Sequence, residues 1–409
     1  MSNYRCSHVP DPNTILTDLI SDVTPLTPQD IATKPRMGQG GLLKLYLILD
    51  RMRRWINSIA NGGSGGLGGN VFARPTLFSE TPVMDFSPDR SYYPTLLHFP
   101  GGYTPPLPDT GTYKYVCVCQ SYSGSSGLDL RGSNDFKSWT RLASATGLVG
   151  LTNPAHPFIV RTPGDVKAYR VYYWDTAQLY SASSIRTADS DDLVTWTNDT
   201  ALLNGPTPFI TGVGPDWNRG SYGPGMVFFN PSASNTGPDP FDYRYILFFD
   251  ATTGGVQSVG LAVSADGITF DLHDEVFKYN SRGWDATHVS SFRMVQIPDG
   301  TWIALYSGGD GASNQGIGLA VSSDRLNWQR LTYAAPLVGL NPLTWREGRA
   351  YAAGVLADFS NSFKGAGDEA VIKMLVSGRS ESGDYTMGYF YWPSLYTEDA
   401  NNALIPTTV

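Results

Sequence analysis

The stretch Ser322-Ser-Asp-Arg-Leu-Asn-Trp328 decides the fold of this chain, because close copies of it recur along the sequence. The shared pattern is Ser-x-Asp-x-x-x-Trp/Phe, and its copies span residues 133–139, 190–196, 264–270 and 322–328. The Asp residues of successive copies are separated by 57, 74 and 58 residues. Internal repeats of roughly this length are typical of β-propeller blades. We interpret the pattern structurally, as an Asp that makes a turn and an aromatic side chain that packs under it.

Strand-like segments precede each copy of the pattern. An apolar strand comes first, at residues 93–97, 156–160, 222–229 and 288–294, and an aromatic or β-branched strand follows at 113–118, 169–174, 243–249 and 301–306. A fifth unit has strands at 351–356, 370–376 and 385–391 but lacks the pattern. Its outer strand would come from residues 71–74, which closes a ring by pairing the two ends of the domain. The sequence therefore predicts an all-β protein, a five-bladed β-propeller over residues 70–395.

The segments outside the propeller have a different character. Residues 1–40 are rich in Pro and Thr, and we expect them to be extended. Residues 42–60 carry apolar side chains three and four positions apart, which predicts an α-helix within an anchor or assembly segment, residues 1–60. The glycine-rich residues 61–69 would end that helix and form a flexible linker. Residues 396–409 are interpreted as a C-terminal tail.

Composition narrows the class of protein. The 44 glycines, 28 prolines and 12% aromatic residues suit short strands joined by tight turns, not a helical bundle. A net charge of −8 offers no basic surface for nucleic acid. The N-terminus lacks the basic and apolar regions of a signal peptide, and charges interrupt the apolar stretch 42–59, so neither Sec-type export nor a membrane span is predicted. No zinc-like spacing of Cys and His is present, so we expect no metal and no cofactor.

The blade spacing and the repeated Ser-x-Asp pattern resemble the five-bladed propeller superfamily of arabinanases, β-xylosidases, invertases and levansucrases, over residues 70–395. This resemblance implies catalytic carboxylates at the starts of the inner strands, around a central funnel. Two carboxylates are needed, because one protonates the leaving oxygen while the other attacks or activates water. The corresponding positions here are Tyr93-Pro94, His156-Pro157, Gly223-Pro224 and Val289-Ser290. None of these strands begins with a carboxylate.

Acidic residues do occur a few positions upstream, and Asp89, Asp216 and Asp285 are the catalytic candidates if the protein is an enzyme. They lie among aromatic and arginine side chains that would form a rim at one mouth of the ring. Aromatic rings stack on sugar faces and guanidinium groups donate paired hydrogen bonds to sugars. The candidate glycan-binding residues are Arg90, Tyr93, His156, Asp216, Trp217, Arg219, Tyr222, Trp284, Asp285, His288, Arg349 and Tyr351. Alternatively, the Arg and Asp residues pair only to tie neighbouring blades together.

Three functions remain open from the sequence. The chain also resembles, in layout, the propeller-type receptor-binding proteins of phage tails. Our main expectation is therefore a virion protein, outside the cell after lysis, that displays a glycan-recognising propeller. The missing strand-start carboxylates favour a protein that is not an enzyme, and if it is one, a glycosidase. Its partners would be a cell-surface glycan and, through helix 42–60, other tail subunits or a second copy of the chain. Alternatively, helix 42–60 packs on its own domain. One alternative function is a glycoside hydrolase acting on glycans that contain arabinose, xylose or fructose; another is a purely structural decoration protein.

Overall fold

The computed structural model of the protein describes most of the predicted propeller. The described residues are 76–77, 81–84, 91–106, 111–121, 127–144, 146, 148, 154–175, 185–204, 207–208, 220–253, 255–297, 300–311, 315–332, 335–341, 345–357, 372–380, 385–392, 396–398 and 404–406. The predicted anchor segment 1–60, its helix 42–60 and the linker 61–69 lie outside them. Among the described residues, no helix is long and apolar enough to cross a membrane.

The strands form five four-stranded antiparallel sheets, which confirms the predicted all-β, five-bladed propeller. The first strand, β1 (Thr76–Leu77), belongs to the last blade. The first two blades consist of β2 (Ser91–Tyr103), β3 (Tyr113–Ser121), β4 (Gly127–Ser133), β5 (Thr140–Ser144), β6 (Pro154–Arg161), β7 (Tyr169–Asp175), β8 (Ile185–Ser190) and β9 (Thr197–Ala201). They are followed by β10 (Leu203–Asn204), β11 (Thr207–Pro208), β12 (Gly220–Phe229), β13 (Tyr245–Thr253), β14 (Val256–Ser264) and β15 (Asp271–Phe277). The remaining strands are β16 (His288–Gln296), β17 (Trp302–Gly309), β18 (Gln315–Ser322), β19 (Gln329–Arg330), β20 (Arg349–Ala357), β21 (Ile372–Arg379), β22 (Tyr385–Trp392), β23 (Tyr396–Glu398) and β24 (Leu404–Pro406).

In blades 1 to 4 the strands follow chain order from the centre outward, and in blade 5 the outer strand comes from the start of the domain. Blades 1 to 4 are the sheets β2 to β5, β6 to β9, β12 to β15 and β16 to β19, and blade 5 has the order β20-β21-β22-β1. Two small hairpins, β10-β11 and β23-β24, accompany the blades, and the second lies in the predicted tail. A short 3₁₀ helix, Pro240–Asp242, precedes β13.

The ring is closed by the first strand of the domain. Thr76 pairs with Tyr391 and Leu77 pairs with Phe390, so β1 is the outer strand of the last blade. This is the closure predicted from the sequence; the predicted strand residues 71–74 themselves lie outside the described residues. Closure gives the last blade a fourth strand, which covers the edge of β22 that would otherwise be exposed.

The hydrophobic core lies between neighbouring blades, because side chains alternate between the two faces of each strand. On β3, Val118 packs with Val171 of blade 2, whereas Cys117 packs with Leu375 of blade 5. The middle strands are therefore apolar on both faces. This burial explains why their sequences read as continuous apolar runs.

The repeated Ser-x-Asp pattern forms the same hydrogen-bonded turn in blades 1 to 4. In blade 4, the Ser322 hydroxyl donates to Asp324 at 2.9 Å, and the same carboxylate accepts the N–H groups of Leu326 and Asn327 at 2.9 and 2.8 Å. Burial alone would raise the pKa of Asp324, yet the donors of Asn327 and Leu326 lower it to about 2. The carboxylate is therefore ionised at neutral pH and holds the turn that leads into the outer strand.

The equivalent turns involve Asp135, Asp192 and Asp266. The residue after each Asp has a left-handed backbone, and in blade 3 it is Gly267, with φ +75°. A side chain at Gly267 would collide with the Arg170 guanidinium, which donates to the carbonyl of Asp266 at 2.6 Å. Glycine at this position therefore lets blade 2 hydrogen-bond to the turn of blade 3.

We expect Asp266→Ala to lower the free energy of unfolding by about 1–2 kcal/mol, because the N–H groups of Ile268 and Thr269 lose their shared acceptor. The matched control is Asp271→Ala, since Asp271 is exposed on β15 of the same blade and should change stability by less than about 0.5 kcal/mol. Urea unfolding of the full chain measures both values. Equal effects of the two substitutions would show that the turn carboxylate has no special role.

Candidate functional site

The inner strands are distorted by bulges near their starts. The pairing register shifts between Tyr92 and Thr95 on β2, and comparable shifts occur on β6, β12, β16 and β20. In four blades, a residue in the bulge has a left-handed backbone: Tyr93 (φ 56°), His156 (51°), Ser291 (49°) and Ala352 (47°). Bulges of this kind redirect side chains and are common near functional sites. All of them lie at the same mouth of the ring.

Hydrogen bonds from the bulges of blades 1, 4 and 5 link each of these blades to the one before it. Tyr93 N–H donates to the Ser377 hydroxyl at 3.0 Å, and Ala352 N–H donates to the Ser307 hydroxyl at 2.7 Å. Between blades 3 and 4 the acceptor is a carboxylate, since Ser291 N–H donates to Oδ1 of Asp250 at 2.8 Å. Asp250, Ser307 and Ser377 occupy the same position in the second strands of their blades. They therefore perform one shared structural task.

Asp250 has an oxygen that this task does not use. Its Oδ2 is buried without a hydrogen-bond partner among the described residues, and it lies 3.7 Å from Nδ1 of His156 on blade 2. The Asp250 side chain is only 1% exposed. His156 fits here because Gly223 has no side chain; a Cβ at Gly223 would lie 3.0 Å from the Cβ of His156. A carboxylate oxygen and an imidazole nitrogen thus face each other at the mouth.

Aromatic rings surround this pair. Tyr93 stacks on His156 with 3.6 Å between ring centres, and Tyr351 meets the Tyr93 ring edge-on at 5.3 Å. Trp174 packs edge-on against His156 at 5.4 Å. We call Tyr93, His156, Asp250 and Tyr351 the mouth cluster. Its members come from four different blades, so the closed ring is required to assemble it.

The mouth cluster combines neutral rings with a carboxylate. Burial lowers the pKa of His156, and the neighbouring Asp250 only partly opposes this. Burial also raises the pKa values of the Tyr93 and Tyr351 phenols. At neutral pH the imidazole and both phenols are uncharged. Uncharged donors and ring faces beside a carboxylate suit a neutral ligand rich in hydroxyl groups.

The structure places other predicted site residues near this cluster. His288 and Arg349 are the first residues of β16 and β20. Burial lowers the pKa of His288, Asp250 opposes that shift, and Arg349 adds to it. Arg349 also lowers the pKa of Tyr93, against the larger effect of burial. Tyr93, His156, His288, Arg349 and Tyr351 are therefore brought to the same mouth.

Trp284 and Asp285 make their main contacts within blade 4. The Trp284 indole N–H donates to the carbonyl of Thr332 at 2.6 Å, and its ring lies over Gly308. Asp285 is 1% exposed and pairs with Arg330 at 2.8 Å through Oδ2, while its Oδ1 has no hydrogen-bond partner among the described residues. The pair lies within one blade, so it does not tie neighbouring blades together as the alternative from the sequence expected.

The remaining predicted site residues lie outside the described residues. They are Asp89, Arg90, Asp216, Trp217 and Arg219. Tyr222 belongs to β12, and its side chain is likewise not described. Within the described ranges, no group of three or more His, Cys, Asp or Glu side chains is arranged to hold a metal ion.

Asp250 is the site residue that sequence reasoning missed. The predicted second strand of blade 3 ends at Phe249, one residue before it, whereas β13 runs from Tyr245 to Thr253. Aligning the second strands of blades 3, 4 and 5 would have placed Asp250 level with Ser307 and Ser377. A carboxylate at a position where other blades have serine was the available signal.

Solved structures of other proteins share this architecture. A glycoside hydrolase matches with a TM-score of 0.54 and 12% identity, over 83% of this chain and 96% of that one. The catalytic domain of the GH62 α-L-arabinofuranosidase from Coprinopsis cinerea matches with a TM-score of 0.54 and 9% identity, over 79% of this chain and 98% of that one. At such low identity, these similarities establish a shared fold.

This chain has the fold of the glycoside hydrolase propellers. No protein-family model matches it, and no curated protein matches it. The comparison confirms the resemblance to the five-bladed superfamily. It also shows that our main expectation was wrong, because the similar structures include a glycoside hydrolase and an arabinofuranosidase, whereas nothing supports a virion protein or a virion location. The glycoside hydrolase alternative is the one that the comparison favours.

We expect the two buried histidines to make stability depend on pH. An imidazole in an unfolded chain has a pKa near 6.5, and burial lowers the pKa values of His156 and His288 in the folded protein. Between these pKa values the unfolded chain binds more protons, so stability is fully present above about pH 6.5 and is lost as pH falls through the folded pKa values. Replacing His156 with Gln should therefore reduce the stability lost between pH 7 and pH 5, measured by urea unfolding.

His273→Gln is the control, because His273 lies exposed on β15. It should leave the pH dependence of stability as in the unmodified protein. Identical pH dependence in the His156 and His273 variants would show that the buried imidazole is not responsible.

Proposed function

We propose that the protein is a glycoside hydrolase of the five-bladed propeller type that binds and cleaves a glycan at the mouth cluster. The observation that carries this proposal is the unused Oδ2 of Asp250. It is a buried carboxylate oxygen beside a neutral imidazole and stacked aromatic rings. Hydrolysis of a glycosidic bond needs such a carboxylate close to a surface on which sugar faces can stack.

A purely structural role for Asp250 explains only one of its two oxygens. Ser307 and Ser377 accept the corresponding inter-blade hydrogen bonds with a single hydroxyl. A serine at position 250 would suffice for the link between blades 3 and 4. A buried carboxylate oxygen that accepts no hydrogen bond is costly, because it is removed from water without replacement. The presence of this second oxygen despite its cost favours a catalytic role for Asp250.

The second carboxylate of the reaction is proposed to be Asp285. Like Asp250, it has one oxygen held by the protein and one buried oxygen without a partner among the described residues. Asp250 and Asp285 both raise the pKa of His288, against the lowering by burial. They therefore face a common part of the mouth. Asp89 and Asp216 remain candidates from the sequence for the same role.

The substrate is proposed to be a glycan with arabinose, and xylose- or fructose-containing glycans are the next choices. Support for arabinose comes from the fold shared with the α-L-arabinofuranosidase domain. Tyr93 and Tyr351 would stack on the sugar, while His156 hydrogen-bonds to its hydroxyls in the neutral form. The glycan would then be the partner of this protein as well as its substrate.

We expect Asp250→Ser to abolish hydrolysis while the propeller stays folded. The serine reproduces the side chain found in blades 4 and 5, so the bond from Ser291 N–H has an acceptor, but the carboxylate is lost. Removing a carboxylate that transfers a proton lowers kcat by roughly 100-fold or more. The measurement is turnover of 4-nitrophenyl α-L-arabinofuranoside, β-D-xyloside and an arabinan oligosaccharide, with the thermal transition recorded in parallel.

Asp274→Asn is the control, since Asp274 is exposed on β15 and should retain full activity. Full turnover by a folded Asp250→Ser variant would overturn the role of Asp250. If the unmodified protein cleaves none of these glycosides and none of fructose-containing oligosaccharides, the proposed activity is wrong.

A further inference from the structure

A cavity lies between the five inner strands, apart from the mouth cluster. It has a volume of about 380 Å³, within the usual range for sites that bind small molecules. All five inner strands line it, with mostly apolar side chains such as Phe158, Met226, Phe228, Val295 and Val355. The lining residues of the inner strands lie at or after the bulges, so the cavity lies farther along these strands than the mouth cluster. We call it the axial cavity.

The axial cavity has one charged side chain in its wall, Arg293. This residue is 4% exposed, and its guanidinium donates to the carbonyl oxygens of Pro224 and Pro157 at 3.3 and 3.2 Å. Its guanidinium carbon lies 4.8 Å from the centre of the Phe158 ring. Among the described residues, no carboxylate lies within 4.0 Å of it. Arg293 is therefore a buried cation that is held only by carbonyl groups.

The charge of Arg293 is only partly compensated. Burial lowers its pKa to about 10, and Asp250 opposes this effect from the side of the mouth cluster. The guanidinium is still protonated at neutral pH. It has five N–H donors, and the two carbonyl contacts use two of them. An anion entering the cavity would meet a desolvated positive charge that no carboxylate of the described residues pairs with.

We propose that the axial cavity binds a small organic carboxylate, whose head group pairs with Arg293 and whose apolar body fills the space between the five inner strands. A carboxylate matches the forked donors of a guanidinium and forms charge-assisted hydrogen bonds. The apolar body of the ligand would bury the side chains of Phe158, Phe228 and Val355 away from water. An inorganic anion would leave those walls unfilled, and a neutral apolar molecule would leave the cation unpaired.

This site is separate from the proposed hydrolysis. The mouth cluster lies at the bulges and presents a carboxylate with neutral rings, whereas the axial cavity lies farther along the inner strands and presents a guanidinium with apolar walls. A glycan has neither the negative charge nor the apolar body that the cavity selects. Direct binding measurements therefore test the cavity even if the protein cleaves no glycoside.

The test is calorimetric titration of the full chain with octanoate and with octanol, which has the same chain length but no charge. Octanoate should bind at least tenfold more tightly than octanol, because only the carboxylate pairs with Arg293. Arg293→Met should remove this preference, and an apolar side chain can often replace a buried ion without loss of stability. Val295→Phe should weaken both ligands by filling the cavity while leaving Arg293 in place.

Val166→Phe is the matched control, because Val166 is 65% exposed and is absent from the cavity wall. It should bind octanoate as the unmodified protein does. Equal affinity for octanoate and octanol, or no binding of either, would overturn the proposal whether or not the Arg293 variant folds. Octanoate binding that survives Val295→Phe unchanged would place the ligand elsewhere and would also overturn it. Thermal stabilisation by chloride equal to that by octanoate would show an adventitious ion only.

Discussion

Closure of the ring is the constraint on which the rest of this structure depends. Two sets of contacts close it, one at the outer edge and one near the axis. At the outer edge, β1 supplies the fourth strand of blade 5 by pairing Thr76 with Tyr391. Near the axis, Tyr93 N–H of blade 1 donates to the Ser377 hydroxyl of blade 5. The core clusters between blades can form on all sides only in a closed ring. The mouth cluster also depends on closure, because Tyr93 and Tyr351 come from the first and last blades.

The inner closure stabilises backbone that would otherwise be strained. A left-handed conformation at a residue other than glycine costs about 1–3 kcal/mol, and it occurs here at Tyr93, His156, Ser291 and Ala352. Tyr93, Ser291 and Ala352 each donate their backbone N–H to a side chain of the previous blade. The hydrogen bond offsets the strain, and the bulge places the adjoining side chains at the mouth. Strain, inter-blade contact and site geometry therefore have one common origin.

The fold could be predicted from the sequence because its decisive signals are local. The Ser-x-Asp turn uses residues within seven positions, and its repetition reveals the blades. Closure by the start of the domain could be predicted because the fifth unit lacked an outer strand, whereas the exact partners, Tyr391 and Phe390, depend on pairing far along the chain. The tail prediction missed the β23-β24 hairpin for a similar reason, since neither three-residue strand is long enough to show a period.

The site was harder to predict because a bulge changes the direction of side chains without leaving a clear sequence signal. Sequence reasoning looked for carboxylates on the inner strands and found none, which favoured a protein without catalytic activity. The structure instead brings a carboxylate to the mouth from a second strand, at Asp250. Trp284 was a natural choice as a sugar-stacking residue, yet its N–H is bonded within its own blade. Such outcomes depend on contacts between segments that lie far apart in sequence.

The charges of the mouth cluster and of Arg293 in the axial cavity influence each other. Asp250 opposes the effect of burial on the pKa of Arg293, and Arg293 in turn contributes to the lowered pKa of His156. A ligand that neutralises Arg293 would remove that contribution and raise the pKa of His156 in the mouth cluster. If both proposed sites bind ligands, the coupling between them is reciprocal, so a ligand that changes the charge of the mouth cluster would also alter anion affinity in the axial cavity. Asp250 and Arg293 carry opposite charges and lie close enough for their charges to interact.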